Sequence, residues 1–246
     1  MLSIDLNCDM GEGMETDAQL MPYISSANIA CGFHAGDAQI MQHTVALCKN
    51  YGLAVGAHPG FNDKENFGRK PIPLSAHEIE VLLQQQVDAL QHICTQMNVP
   101  LHHIKLHGAL YNMVSADAAL AKQVADILYK LYPNIMVYAL SGSHFMQACL
   151  QKQLPVAAEV FADRTYTNAG QLTPRTQPNA LIHTTSESLQ QVLRFIQEKA
   201  VITTSGKKIA IAADTICLHG DGAHAVAFAK TIHETLQQQG IGIQTL

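Results

Sequence analysis

Short apolar runs alternate with longer stretches of helical periodicity along almost the whole of this 246-residue chain. "SIDL" (3–6), "ANIAC" (27–31), "LAVGA" (53–57), "HIKLH" (103–107), "IMVYAL" (135–140), "VAAEVF" (156–161) and "DTICLH" (214–219) read as strands. Helical patterns fall at about 37–51, 76–93, 115–131, 143–151, 186–199 and 223–239. Strand followed by helix, repeated, calls for parallel strands with helices packed outside them. Seven or eight such units in this length favour a closed β/α barrel, with an open doubly wound sheet as the alternative. No Pro/Gly/Ser-rich linker and no internal repeat divides the chain, so we expect one domain over residues 1–246.

Local signals mark several boundaries. Gly52 ends the 37–51 pattern. Residues 59–74 hold five prolines and glycines and form a long loop. Ser75 and Glu78 then match a capping box, in which hydroxyl and carboxylate each satisfy a free N–H. Behind it Ile79, Leu82, Leu83, Val87, Leu90 and Ile93 recur at helical spacing. A polar loop at 163–179 leads to "ALIH" (180–183), which the pattern leaves unassigned.

In a parallel barrel the active site forms at the C-terminal ends of the strands. Those positions are rich in chemistry here. The first strand leads into Asn7, Asp9 and Glu12 within "DLNCDMGEG", and the second into His34 and Asp37 within "GFHAGD". His58, then Lys105 and His107, then Glu159, Asp163 and Arg164 follow, and the last strand gives His219 and Asp221 in "HGDGAH". One histidine in such a place is ordinarily structural, and one Gly-Asp turn is ordinarily a helix cap. Recurrence at one end of successive strands points instead to a ring of acid–base groups and anion binders over a barrel mouth. We read Asp9, Lys105 and His107 as catalytic candidates. Asn7, Glu12, His34, Arg164, Arg175 and Asp221 are substrate or anion-binding candidates. Asp9, His58 and His107 together would suit a divalent metal. His43, His77, His92 and His233 fall in helical stretches and are expected at the surface.

Composition closes off other classes. Charged residues are 14% and the formal net charge is −5, with no basic stripe for nucleic acid. No apolar run approaches the ~18 residues of a membrane helix, and no signal-peptide pattern opens the chain. None of the six cysteines forms a C-x-x-C pair, and they read as small buried hydrophobes. A cytoplasmic setting is expected. No P-loop is present; "TSGKK" (204–208) lacks the upstream glycine and the hydroxyl after lysine.

At these residues the chain resembles the LamB/YcsF family of 5-oxoprolinase A subunits. The resemblance is carried by "DLNCDMGEG" (5–13), "ANIACGFHAGD" (27–37), "GAHPGF" (56–61), "FGRK" (67–70), "IKLHGALYN" (104–112), "EVFADRTY" (159–166), "LTPR" (172–175) and "ICLHGD" (216–221). Leu106 stands where the family pattern has proline, and Leu218 where it commonly has valine. The resemblance implies a distorted seven-stranded β/α barrel of the glycoside hydrolase/deacetylase type. It implies cleavage of 5-oxo-L-proline to L-glutamate coupled to ATP hydrolysis, with two partner subunits, B and C. ATP is then expected to be used through the partners. Two other readings stay open from the residues alone: a metal-dependent amidase or carbohydrate deacetylase working without ATP, and a non-catalytic binding subunit.

Overall fold

A computed structural model describes residues 2–14, 16–218 and 225–246. The elements run β1 (Ser3–Met10), α1 (Asp17–Leu20), β2 (Ser26–Ala30), α2 (Ala38–Tyr51), β3 (Ala54–His58), α3 (Ala76–Gln96), β4 (Leu101–Lys105), α4 (Gly108–Ala116), α5 (Ala118–Leu131) and β5 (Met136–Leu140). They continue with α6 (His144–Gln151), β6 (Val156–Phe161), α7 (Thr185–Glu198), β7 (Ala200–Ile202), β8 (Lys208–Ala210), β9 (Thr215–Leu218), α8 (Ala225–Gln238) and β10 (Gly242–Ile243).

Strands β1 to β6 pair in sequence order, all parallel, and β9 pairs with both β6 and β1. The seven strands therefore close into a barrel rather than an open sheet. No helix among the described residues is long and apolar enough to cross a membrane.

The barrel wall explains the alternating pattern of its strands. Along β1, Ile4, Leu6, Cys8 and Met10 join the apolar core. Asp5, Asn7 and Asp9, one residue out of phase, share the opposite face and are also buried. The same parity brings Asn28, His103, Lys105, Glu159 and Cys217 into hydrogen-bond or ion-pair contact with that polar row or with each other. All six cysteines are buried and unpaired.

The helices obey their caps. Asp37 caps α2 by accepting from Gln39 N and Ile40 N, and Gly52 ends it at φ +68°. Ser75 and Glu78 form both halves of the capping box on α3. Its buried Gln86 ties the helix to the preceding loop, accepting from Gly60 N at 3.0 Å and donating to Gly60 O at 2.9 Å.

The structure departs from the sequence reading in several places. β1 runs on to Met10, so Asn7 and Asp9 are strand residues, and the turn begins at Gly11 with φ +69°. β4 starts at Leu101 and ends at Lys105, leaving His107 as the N-cap of α4. "GALYN" is thus the start of a helix. The single helix expected over 115–131 is divided at Asp117, whose carboxylate caps α5 by accepting from Ala119 N and Leu120 N. "TSGKK" is the turn of the β7–β8 antiparallel hairpin, and β10 adds a short parallel pair beside β1. "ALIH" contributes one isolated bridge, Arg164 to Leu181. His43, His77 and His92 are exposed as expected, whereas His233 is half-buried and its Nδ1 lies 3.1 Å from Tyr23 O.

Candidate active site

The inner face of β1 sets out three carboxamide or carboxylate groups in a row. At the N-terminal end of the strands Asp5 accepts from Ser25, Ser26, Tyr138 and Thr215 at 2.5–2.9 Å. Four hydroxyl donors make this a fully satisfied structural anchor. One step up, Asn7 donates to Thr215 Oγ1 at 2.7 Å and accepts from Asn28 Nδ2 at 2.7 Å. Two residues further, Asp9 reaches the mouth.

Asp9 sits among fixed donors. Its Oδ1 accepts from Lys105 Nζ and from Asn28 Nδ2, both at 2.8 Å. The Asn28 amide is held in this orientation because its Nδ2 faces two acceptors, Asn7 Oδ1 at 2.7 Å and Asp9 Oδ1, while its Oδ1 lies 2.7 Å from His103 Nε2. The His103 ring lies in turn against Gly56, where any Cβ would come within 2.1 Å of Nε2. Only glycine leaves room for that ring.

Lys105 is buried and makes a second ion pair, to Glu159 Oε1 at 2.9 Å. Burial on its own would discharge the ammonium, but the Asp9 and Glu159 carboxylates reverse this and hold its pKa well above the usual lysine value. The thiol of Cys217 lies 3.0 Å from the same ammonium, and burial keeps that thiol protonated by pushing its pKa well up. Tyr111 on α4 donates to Glu159 Oε2 at 2.8 Å. One cation thus stands between two carboxylates in a closed setting.

Beside this pair lies a histidine cluster. His34, His58 and His107 are buried, and with Glu12 they place one ligand atom each within 4.8 Å of one another. The His107 Nδ1 to His58 Nε2 distance is 2.9 Å, and His58 Nε2 lies 3.4 Å from Asp9 Oδ2. Glu12 Oε1 is 3.4 Å from His34 Nε2 and 3.5 Å from His107 Nδ1. The His34 ring stacks on His107, with centroids 3.7 Å apart and planes 5° from parallel. The cradle needs a missing side chain: at Gly68, with φ +60°, a Cβ would press to 2.9 Å from His34 Cβ and 3.1 Å from His107 Cδ2.

The environment divides the three rings. Burial, followed by the neighbouring His58, lowers His34 to about 3. His107 is pushed well down by burial and then by His58. Burial also opposes charge on His58, but the facing Asp9 outweighs it and raises the ring's pKa. This Glu/His group can hold a divalent metal, since imidazole and carboxylate are ligands of zinc-like ions.

A cavity of about 460 Å³ opens over these groups. Asp9, Glu12, His58, Lys105, His107 and Tyr111 form its reactive side. Arg69, Arg164 and Arg175, with the 171–176 stretch, also line it. Arg164 is buried, and its guanidinium donates to Thr173 O at 2.7 Å and Ala180 O at 3.3 Å. Burial and then the nearby Arg175 lower its pKa to about 10. It therefore pins the loop as well as facing the cavity.

Of the residues chosen from sequence, Asp9, Glu12, His58, Lys105, His107, Arg164 and Arg175 line one cavity. Asn7 and His34 do not line it; Asn7 is tied to Thr215, Asn28 and Lys105, and His34 is packed behind His107. Asp221 and His219 lie outside the described residues. Asn28, His103, Tyr111 and Arg69 were not singled out. Strand parity carried the signal for Asn28 and His103, each two residues from a chosen or neighbouring inward position. Tyr111 was hidden because "GALYN" was not read as a helix.

Residues 4–246 match the LamB/YcsF family. A relative from Tolumonas auensis, named as the A subunit of 5-oxoprolinase, is 47% identical over 251 residues, covering all of both chains. The crystal structure of a lactam utilization protein from Thermus thermophilus superposes with a TM-score of 0.94 at 35% identity, again over all of both chains. A peptidoglycan deacetylase from Bacillus subtilis shares the fold alone, with a TM-score of 0.53 at 14% identity, over 100% of this chain and 88% of the other.

Proposed function

Because the chain belongs to the LamB/YcsF family, we propose that it is the barrel subunit of an ATP-dependent 5-oxoprolinase, opening 5-oxo-L-proline to L-glutamate. The observation that carries this reading is the full-length match to a relative named as the A subunit of 5-oxoprolinase. The cavity chemistry supports it. The name of that relative also supports membership of a multi-subunit complex, which we assign as this chain with subunits B and C. Six buried, unpaired thiols suit a cytoplasmic, reducing setting for it.

A five-membered lactam is a resonance-stabilised amide, and a mild base does not open it unaided. In this proposal the partners use ATP to phosphorylate the lactam oxygen. One water then adds to the activated ring carbon and gives its proton to a base. The carbon–nitrogen bond breaks as the nitrogen takes a proton, and a second water carries off the phosphoryl group. ADP, phosphate and glutamate are the products.

Asp9 is the preferred base. Lys105 and Asn28 fix its Oδ1, which leaves Oδ2 on the His58 side of the carboxylate. His107, kept neutral by burial, is the second candidate. Lys105 holds Asp9 and Glu159 in place through its two ion pairs; clamping a substrate anion would require it to release one of them. That task falls to Arg69 and Arg175 at the exposed side of the cavity.

The test is paired measurement of ADP and glutamate for this chain, for the partner pair and for the full mixture. The partners should hydrolyse ATP in a 5-oxoproline-dependent way without releasing glutamate. Adding this chain should couple the two products. Stoichiometric glutamate from this chain and ATP alone would overturn the division of labour.

A further inference from the structure

Two backbone carbonyls decide the protonation of the histidine cluster. His58 Nδ1 lies 2.9 Å from Lys105 O, and His107 Nε2 lies 2.9 Å from Phe67 O. A carbonyl oxygen only accepts, so both of these nitrogens carry the proton. The remaining nitrogens, His58 Nε2 and His107 Nδ1, then present lone pairs. They face each other at 2.9 Å. Asp9 Oδ2 stands 3.4 Å from the first and Glu12 Oε1 3.5 Å from the second, so the surroundings add negative charge. Facing lone pairs beside two carboxylates are bridged by a positive centre, either a proton shared between the rings or a metal ion.

We infer that Glu12, His58 and His107 form a binding site for one divalent transition metal of the zinc class, with His34 as its wall. Ring geometry separates ligand from wall. The His58 and His107 planes are 87° apart, so they intersect along a line, and an ion there lies in both ring planes. The His34 plane is 5° from that of His107 at 3.7 Å, so an ion in the His107 plane is displaced from the His34 plane. Each ligand imidazole also donates its other N–H to a fixed carbonyl, the outer arrangement that metal-bound histidines almost always show. Tetrahedral ligation at usual zinc–nitrogen lengths sets the two nitrogens about 3.3 Å apart. Loading therefore spreads the pair from the observed 2.9 Å. Three protein ligands leave coordination open towards the cavity, as in catalytic rather than structural zinc sites.

This site uses His107, so a metal on its Nδ1, with Nε2 held by Phe67 O, leaves Asp9 as the base of the proposed reaction. Because the test reads metal and not turnover, its failure is distinguishable from failure of that reaction. The full-length chain, stripped with a chelator and dialysed, is titrated with zinc chloride against a chromophoric competitor, and separately with cobalt(II). One equivalent should bind, and the cobalt form should show the intense visible bands of a low-coordinate nitrogen/oxygen site. His58→Ala and His107→Ala should each weaken zinc by at least the 10–100-fold that loss of a mere outer partner costs. His34→Phe should weaken it far less. Circular dichroism establishes that each variant is folded. The wild-type titration is decisive by itself: no stoichiometric binding at micromolar zinc would show that a shared proton fills the gap between the rings. Binding unchanged in folded His58→Ala and His107→Ala chains, but lost on replacing exposed His77 and His92, would equally overturn the site.

Discussion

Lys105→Met keeps the length of the side chain and deletes its charge. The ammonium is the shared partner of Asp9 at 2.8 Å and Glu159 at 2.9 Å, and all three side chains are buried. Removing one member of a buried ion pair costs about 3–5 kcal/mol, because the charge left behind has no compensation. Here two carboxylates lose their common cation, so the cost at pH 7.5 should sit in the upper part of that range. The loss must also depend on pH. In the variant, the native state relieves the repulsion by binding a proton before the unfolded chain does. Protons bound then favour the native state as pH falls, so the variant regains stability relative to the parent. One extra proton held between pH 7.5 and 5.5 is worth about 2.7 kcal/mol. The parent has the same sign of dependence, but in a higher pH window. Its raised lysine contributes stability that is complete below the unfolded lysine pKa and is lost as pH rises through the folded value. The assay is urea unfolding of the isolated chain and its variant at both pH values, with m compared to check that the same surface unfolds. Equal stability at pH 7.5, or a deficit that does not shrink at pH 5.5, would refute the picture of a cation shared by two charged carboxylates.

Asp9→Asn in the assembled complex should lower kcat on the order of 10²-fold or more if Asp9 takes the proton from water, while Lys105 keeps Glu159 and the chain still folds; ordinary turnover would remove Asp9 from the chemistry. Gly56→Ala, whose Cβ would meet His103 Nε2 at 2.1 Å, should destabilise by about 1–3 kcal/mol or more through overpacking. A neutral outcome in urea unfolding would mean that the His103 ring does not lie against Gly56. Arg164→Met removes donors to Thr173 O and Ala180 O, at a cost of about 2 kcal/mol. Limited proteolysis should then cut faster between residues 165 and 180, and an unchanged cleavage rate would show that the loop is held by other contacts.

The barrel was legible because its pattern repeats. β6 runs over the expected residues, Val156–Phe161, α2 begins and ends at the expected cap residues Asp37 and Gly52, and α3 begins behind the expected Ser75. Short elements were not legible. Two or three residues, as in β7 and β10, are too few to show a period, and their pairing is set by tertiary contacts. α4 was missed because Gly108, with φ +56°, and the polar motif around it read as a loop, although Leu110 and Val114 keep helical spacing. The site was legible as a set of strand-end groups but not as an arrangement. Spacing alone could not say that Asp9 and Glu159 share one lysine, or that His34 stacks behind His107. Those facts depend on which strands become neighbours once the sheet closes.

That closure has a consequence in time. Asp5 on β1 is in register with Thr215 on β9, 210 positions later in the chain. During synthesis β1 to β6 can pair in the order in which they emerge, yet the outer edges of β1 and β6 both wait for β9. Each waiting edge is a row of unpaired peptide groups, able to recruit a strand from another chain. Such distant pairing is slow, since the loop between the partners must be ordered before the contact repays it. The interval between the emergence of β6 and the arrival of β9 is therefore the period in which this chain is most exposed to self-association. It is also the stage at which a chaperone would have most to shield.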